Sequence, residues 1–450
     1  MSESDPSRRG TLDRLRDTLR RRRPVAPDLP PGDRTRVARD IDTLLAARES
    51  TSQRAAARGL VDLYEQLDPI GRAHFLEVLA DDFGTDADAV ERAAVRLRAS
   101  APGAERVRAE RDLRAALTPR VAAVLHAVTG LPDGVQFLVE LRGDLLEHPE
   151  RSSTLGLLLD ELTEHLSTLF DVGLLELRQI TWDSPASVLE RLIQTEAVHA
   201  IKGWDDLRHR LAGDQRCYGF FHPAMAGEPI VFVEVALTHG LADDLPHVLN
   251  REDAVDTPDT AIFYSITSVQ SGLAGVHLGN ELIKQVVDHL RATRDEIKTF
   301  ATLSPLPGFR AWLLDQLEAR ALTPAETELL GDDLAAMVHT VGDAIDLSDA
   351  GHVDRLRPAL LSAAVRYLTD TRDGRARDPV ANFHLTNGAS LERVNWLANP
   401  EPYGIAESFG VMVNYRYDRS KMAGNAGAYL GRGEVRTSNQ VKSLVRTAKS

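Results

Sequence analysis

The sequence predicts an α+β protein in which an all-α helical bundle is followed by an α/β domain with a helical insertion. From about residue 33 to 171, apolar side chains recur at spacings of three and four, as in amphipathic helices. From about residue 177, β-branched apolar runs such as EPIVFVEVALT predict buried strands. The 450 residues also exceed the usual size of a single core, so we expect two domains.

The order of these sequence patterns along the chain predicts the domain boundaries. We assign residues 1–31 to a flexible basic tail and linker, because an Arg-rich start ends in PVAPDLPP. The helical domain is assigned to 32–176 and the α/β domain to 177–450. The insertion is the helical pattern between about Ala319 and Asp370. The remaining predicted strands are LELRQITW, RCYGFFH, TAIFYSITSV, TFATLS and VNYRYD.

Composition excludes several classes of partner. A net charge of −14 leaves no global basic footprint, so no nucleic-acid partner is expected. No run of 18 apolar residues occurs, so no membrane span is expected. One cysteine, Cys217, cannot form an intrachain disulfide, which favours a reducing, cytoplasmic location and a buried structural thiol. The basic N-terminus lacks an apolar stretch and contains Glu3 and Asp5, unlike a secretory or mitochondrial targeting segment.

A glycine-rich junction lies between a predicted strand and a predicted helix. Gly272, Gly275 and Gly279 allow close approach of the backbone to a ligand, and the following helix start can offer free N–H groups to an anion. The spacing is neither G-x-G-x-x-G nor a Walker loop. A purely structural helix start is therefore the alternative interpretation.

Two further segments contain residue types that can do chemistry. Ser304 lies in LSPLPGF, where two prolines and a glycine stiffen the turn. His384 lies in the alternating segment DPVANFHLTNGA, and histidine is the natural proton donor near neutral pH. A stiff turn with a capping serine and a structural histidine are the alternatives. H-E-x-x-H, Cys/His zinc spacing, G-x-S-x-G and a biotin-carrying Met-Lys-Met are all absent from the sequence.

Together these segments resemble the malonyl-CoA decarboxylase family. The resemblance runs in order from about Trp182 to Tyr417 and includes EAVH with Trp204, AIFYS, the glycine-rich junction, LSPLPGF, DPVANFHLTNGA and NYRY. It implies a catalytic domain with the fold of the GNAT-type acetyltransferases, which bind acyl-CoA. That superfamily usually has Q/R-x-x-G-x-G/A before its CoA-binding helix. Here Gly272 replaces the Gln or Arg, and His277 replaces a small residue.

The resemblance also implies the site residues. Ser304 and His384 match the catalytic serine and histidine of the family. The acyl-CoA contacts map onto Ala274, Gly275, Val276, His277, Leu278, Gly279 and Asn280. From proximity in the sequence we add Asn387 and Tyr417 as substrate-binding residues. We also expect Asn382 or Asn387 to orient His384, and Tyr415 or Tyr417 to line the pocket.

The implied reaction is decarboxylation of malonyl-CoA to acetyl-CoA and CO2 through an enolate, without metal, biotin or another cofactor. Ser304 would position the malonyl carboxylate or the leaving CO2, and His384 would protonate carbon. Two alternatives stay open: a decarboxylase or acyltransferase acting on a related acyl-CoA, and an acyl-CoA sensor without turnover. Because members of the family form dimers or tetramers, we expect a homodimer or homotetramer that associates through the helical domain.

Overall fold

A computed structural model describes residues 25–225, 227–250, 256–276, 278–319 and 350–447. The chain divides into two compact units. The first runs to Asp171 and also includes Gln270–Val276, whereas the second consists of Val172–Val269 and the residues from 277 onward. The glycine-rich junction thus begins in the helical unit. The domain limits of 32–176 and 177–450 stay predictions.

Eight helices form the described part of the helical unit. They are α1 (Pro31–Ala46), α2 (Ser50–Glu65), α3 (Pro69–Asp82), α4 (Ala87–Ala99), α5 (Ala104–Leu117), α6 (Arg120–Thr129), α7 (Gly134–Leu146) and α8 (Ser153–Leu169). Asp68, Asp86 and Ser152 cap α3, α4 and α8 by accepting a backbone N–H, which satisfies donors that the first helical turn leaves free. Apolar side chains such as Leu138 and Leu162 are fully buried and form the core of the unit.

The predicted flexible linker is packed where the structure describes it. Leu29 is fully buried, and the carbonyl of Pro27 accepts the backbone N–H of Asp68. Gly71 lies so close that a Cβ there would be 1.9 Å from the oxygen of Pro27. Residues 25–30 therefore pack against the helices of this unit through Leu29, and the Arg-rich tail at 1–24 lies outside the described residues.

A mixed eight-stranded sheet organises the second unit. Its strands are β1 (Glu176–Ile180), β2 (Gln215–Phe221), β3 (Pro229–Thr238), β4 (Thr260–Ser268), β5 (Thr299–Thr302), β6 (Ser304–Pro305), β9 (Ser390–Asn395) and β10 (Met412–Arg416), and β7 (Thr371–Arg372) and β8 (Arg375–Ala376) form a separate small hairpin. The order in the sheet is β1-β2-β3-β4-β5-β10-β6, with β9 paired to β10. The β4–β5 pair is parallel, so its connection must cross over through a helix.

That crossover helix is α12 (Leu278–Thr293), which follows the glycine-rich junction. The helices of this unit are α9 (Ala186–Thr195), α10 (Trp204–Arg210), α11 (Leu245–Leu249), α12 (Leu278–Thr293), α13 (Phe309–Glu318), α14 (Ala350–Thr369), α15 (Pro379–Thr386), α16 (Pro402–Ser408), α17 (Met422–Arg432) and α18 (Asn439–Thr447). Buried residues of α12, including Leu282, Ile283 and Val286, pack against the sheet. The buried side chains Ile180, Leu192 and Phe232 belong to a cluster that joins α9 and α10 to the sheet.

The predicted fold class, a helical part followed by an α/β domain, is confirmed. All six predicted strand segments contain a strand. Of the predicted helical insertion, α14 is described, whereas residues 320–349 lie outside the described residues. The alternating segment around His384 is a helix, α15, because Asp378 caps a proline-initiated turn there. None of the helices in the described ranges is long and apolar enough to cross a membrane.

Candidate active site

Ser304 begins β6, with one residue between it and the end of β5, and is held by a neighbouring threonine. Its hydroxyl donates to Oγ1 of Thr302 at 2.8 Å, and Thr302 Oγ1 also accepts the backbone N–H of Tyr415 at 3.1 Å. Residues two apart on an extended chain point to the same side, which is why Thr302 and Ser304 meet. Ser304 is 6% exposed and Thr302 is fully buried, so this hydroxyl pair is nearly shielded from water.

His384 reaches the same place from α15. Its Nε2 lies 3.1 Å from Oγ of Ser304, although the two residues are 80 positions apart in the chain. The ring is 2% exposed. It stacks on the ring of Tyr415, with centroids 4.5 Å apart and planes at 25°. Two residues from separate motifs are thus brought into one hydrogen-bonded pair.

A second tyrosine holds the other ring nitrogen of His384. The hydroxyl of Tyr417 lies 2.8 Å from Nδ1. Burial raises the pKa of Tyr417, so its hydroxyl stays protonated and can donate to Nδ1. Because the hydroxyl of Ser304 already donates to Thr302, it accepts from His384, which places the proton of the neutral imidazole on Nε2 and leaves Nδ1 to accept from Tyr417. The pair therefore consists of Nε2–H and a hydroxyl oxygen.

Burial also fixes the charge of this cluster. It lowers the pKa of His384 to about 3, because an imidazolium would lose its hydration there. His384 is therefore neutral near pH 7 in the free protein. Asp378, which caps α15 through its bond to the N–H of Ala381 at 2.6 Å, is also buried, and desolvation raises the pKa of its carboxyl to about 7. Burial thus disfavours the charged form of both His384 and Asp378.

Of the predicted acyl-CoA contacts, Ala274 and Gly275 are exposed, Val276 is half-buried and His277 lies outside the described residues. Leu278 is buried in the first turn of α12. A Cβ at Gly279 would lie 3.6 Å from the ring of Phe383, so the start of α12 packs beside the helix that carries His384. In Asn280, Oδ1 is buried without a hydrogen-bond partner among the described residues, which leaves an acceptor free for a ligand.

The prediction that Asn382 or Asn387 orients His384 is wrong. Asn382 Oδ1 accepts the hydroxyl of Tyr429 at 2.7 Å, whereas Nδ1 of His384 is taken by Tyr417. Asn387 ends α15 as its C-cap and is buried. Because this segment is a helix, residues that are close to His384 in sequence need not lie next to its ring. Whether Asn387 binds substrate stays a prediction.

Tyr417 and Tyr415 contact His384, as tyrosines two apart on one strand face can, and their rings contribute to the wall around the imidazole. Sequence reasoning missed Thr302. The signal was present, since Thr302 and Ser304 alternate with buried apolar residues at period two. No group of three His, Cys, Asp or Glu side chains that could hold a metal ion occurs in the described ranges.

Comparison with known proteins places these features in a family. The family profile for the malonyl-CoA decarboxylase C-terminal domain matches residues 173–450, and the profile for the N-terminal domain of the same family matches 83–170. A curated goose relative (Anser anser anser), "Malonyl-CoA decarboxylase, mitochondrial", is 38% identical over 401 residues, which cover 83% of this chain and 80% of the relative.

The chain belongs to the malonyl-CoA decarboxylase family. The mouse (Mus musculus) malonyl-CoA decarboxylase is 37% identical over 83% of this chain and 82% of its own length. Among solved structures, the malonyl-CoA decarboxylase of Agrobacterium vitis superposes with a TM-score of 0.84 at 37% identity, covering 91% of this chain and 99% of that one. The malonyl-CoA decarboxylase of Rhodopseudomonas palustris gives 0.81 at 36% identity with the same coverage. The resemblance read from the motifs is confirmed.

Proposed function

We propose that this protein is a carboxy-lyase that converts malonyl-CoA to acetyl-CoA and CO2, with Ser304 and His384 as its catalytic residues. The observation that carries the proposal is the hydrogen bond between these two side chains, 3.1 Å long and nearly buried, in a chain of the malonyl-CoA decarboxylase family. A second support is the free acceptor of Asn280 at the start of α12.

The chemistry sets three requirements. The carboxylate must be held so that its C–C bond can break perpendicular to the thioester plane. The electron pair of that bond passes into the thioester, so the negative charge that develops on the enolate oxygen must be stabilised. Finally, the former malonyl carbon needs one proton, because malonyl-CoA with a charged carboxylate and one proton gives acetyl-CoA and CO2.

Ser304 meets the first requirement in this proposal. In the free protein its hydroxyl donates to Thr302, but a hydroxyl rotates readily and can turn toward an arriving carboxylate. Thr302 remains behind it and keeps the oxygen in place. A nearly dry surrounding strengthens the hydrogen bond to the charged carboxylate. The same dryness favours departure of uncharged CO2.

His384 supplies the proton. Its imidazole is neutral before substrate binds, because burial holds its pKa at about 3. A malonyl carboxylate next to the ring favours the imidazolium, since an opposite charge raises the pKa of a base. Binding therefore takes up one proton, which His384 then donates to carbon after CO2 has left. The neutral imidazole is restored for the next turnover.

Tyr417 acts through His384 as a positioning residue. Its hydroxyl sets the direction of the ring and keeps the proton of the neutral imidazole on Nε2, which faces Ser304. Once the ring is an imidazolium, Nδ1–H can donate to the same hydroxyl oxygen, because a phenol both donates and accepts. One tyrosine thus serves both protonation states.

The test is a turnover assay with purified protein, malonyl-CoA and EDTA, in which acetyl-CoA is followed by mass spectrometry. We expect acetyl-CoA to form with EDTA present, and methylmalonyl-CoA run in parallel measures how far a substituted malonyl group is accepted. Binding of malonyl-CoA without product would contradict the proposal and favour a sensor. Dependence on added metal would contradict the metal-free route.

Two further properties belong to the proposal. We propose a reducing, cytoplasmic location, because a chain with one cysteine cannot form an internal disulfide. That cysteine, Cys217, is fully buried, and burial raises the pKa of its thiol. We also propose that the protein is a homodimer or homotetramer associated through the helical unit. Exposed apolar side chains on α4 and α5 support this, among them Val95, Val107 and Leu117. Light scattering that gives the mass of one chain would contradict it.

A further inference from the structure

The helical unit buries a cation beside the glycine-rich junction. Arg142, near the end of α7, is 4% exposed. Its Nη1 donates to the carbonyl of Gly272 at 2.6 Å, and its Nε donates to Oγ1 of Thr163 at 3.0 Å. Both acceptors are uncharged. Within the part of the chain that the structure describes, no carboxylate forms an ion pair with this guanidinium, and burial alone perturbs its pKa.

Such an arrangement is costly unless something compensates for it. Burial lowers the pKa of Arg142, yet arginine keeps its proton in proteins, so the charge remains. Buried charges are normally paired, because desolvation costs several kcal/mol per ion. Two neutral acceptors offset only part of that cost. An anion brought by a ligand would offset more of it.

The junction is fitted tightly to α7 at this point. A Cβ on Gly272 would lie 1.8 Å from the carbonyl oxygen of Val139, so only glycine allows the backbones to approach so closely. From the other side, a Cβ on Gly143 would lie 3.3 Å from Oγ of Ser271. The next residues, Ala274 and Gly275, are exposed. One side of the junction therefore rests on α7, and its other side is open to a ligand.

We propose that Arg142 anchors the binding site for the diphosphate of CoA, by fixing the carbonyl of Gly272 and adding positive charge to the junction. The inference rests on the proposed function and deepens it. It also accounts for the departure of the junction from the acetyltransferase pattern. Where that pattern has Gln or Arg, this chain has Gly272, and a guanidinium from α7 reaches the same residue.

The experiment compares two substrates. Malonyl-CoA carries the diphosphate, whereas malonyl-pantetheine ends before it. We expect Arg142→Gln to raise KM for malonyl-CoA by roughly 10- to 100-fold, because it removes the buried positive charge and the charge-assisted hydrogen bond that fixes the carbonyl of Gly272. The value of kcat should change little, and so should kcat/KM for malonyl-pantetheine. Arg142→Lys, which keeps the charge, should restore part of the affinity.

Arg151→Gln is the matched control. Arg151 also donates to two backbone carbonyls in the helical unit, those of His148 and Leu146, but it does not touch the junction. Its loss should leave both substrates unaffected. If Arg142→Gln does not fold, Thr163→Val removes one acceptor of the guanidinium and should raise KM for malonyl-CoA severalfold. Equal losses on both substrates, or no loss in any folded variant of Arg142, would overturn the inference.

Calorimetry separates this inference from the reaction itself. Titration of CoA and of pantetheine into the wild-type protein and Arg142→Gln needs no turnover. We expect the substitution to weaken CoA binding by a similar factor, without changing the binding of pantetheine. If the wild-type protein binds CoA but does not decarboxylate malonyl-CoA, the proposed function fails, and the role of Arg142 is still decided by the CoA titration. Unchanged CoA affinity in Arg142→Gln would overturn it.

Discussion

The two places where this protein meets its proposed substrate are built in opposite ways. At the reacting end, a nearly buried cluster around Ser304 and His384 is made of hydroxyls and a neutral imidazole. At the nucleotide end, the helical unit buries the charged Arg142 against a backbone carbonyl. The first site can become charged only when substrate arrives, whereas the second carries its charge permanently. In the two proposals, the diphosphate therefore meets a permanent charge, whereas the acyl group meets a group that becomes charged on binding.

The largest expected effect comes from removing the proton donor. His384→Ala should lower kcat by about 10²- to 10⁴-fold, the usual contribution of a positioned general acid. KM should change little, because the nucleotide end is untouched. The measurement is steady-state turnover of malonyl-CoA. His289→Ala is the control, since His289 is an exposed histidine of the same unit. Its ring contacts the ring of Tyr218 and not the cluster around Ser304. Full activity of His384→Ala would contradict the role of His384 as proton donor.

Ser304→Ala should have the next largest effect. We expect kcat to fall by roughly 10- to 100-fold, because the carboxylate loses a charge-assisted hydrogen bond in a nearly dry site. Ser408→Ala serves as control: Ser408 is also buried, but its hydroxyl donates to the carbonyl of Val411 at 2.8 Å and should affect only stability. A normal kcat in Ser304→Ala, measured in the same assay, would exclude the role proposed for the serine.

Tyr417→Phe tests the positioning of His384 separately from its presence, because it leaves the imidazole in place and removes the hydrogen bond to Nδ1. We expect kcat to fall about tenfold and the pH profile of kcat to shift, since the imidazolium loses an acceptor. Tyr429→Phe is a matched loss of a hydroxyl that bonds to Asn382 and not to His384. If both variants gave the same kcat and the same pH profile, Tyr417 would be only a packing residue.

The smallest expected effect concerns stability. Because the folded-state pKa of Asp378 is raised to about 7 from an ordinary 3.8, folding favours its protonated form. Its stabilising contribution is present at low pH and is lost as pH rises from about 4 to 7. Asp378→Asn keeps a capping side chain without the charge. It should therefore stabilise the protein by about 1–3 kcal/mol at pH 8 relative to wild type and hardly at all at pH 4, as measured by urea unfolding. A pH-independent difference would contradict the assignment.

Most strands and helices could be predicted from the local sequence, but the contacts that hold the site residues in place could not. The strands and α12 were predicted because their apolar periodicity is local. Ser304 and His384 lie in distinct motifs, so each could be named, but their distance could not. The anchoring of Gly272 by Arg142 spans 130 residues and depends on packing between backbones. The helical state of α15 was also missed, because eight residues are too few to show a helical period.

In the proposed mechanism, His384 is neutral in the free protein and becomes an imidazolium when the malonyl carboxylate binds. Nitrogen NMR of histidine-labelled protein tests it directly, with the His384 signals assigned by comparison with His384→Asn. The ligand is a malonyl-CoA analogue whose carboxylate is retained but cannot leave. At pH 7 we predict a neutral ring with the proton on Nε2 in the free protein and two protonated nitrogens in the complex. A ring that is already cationic without ligand, or one that stays neutral with it, would contradict the account.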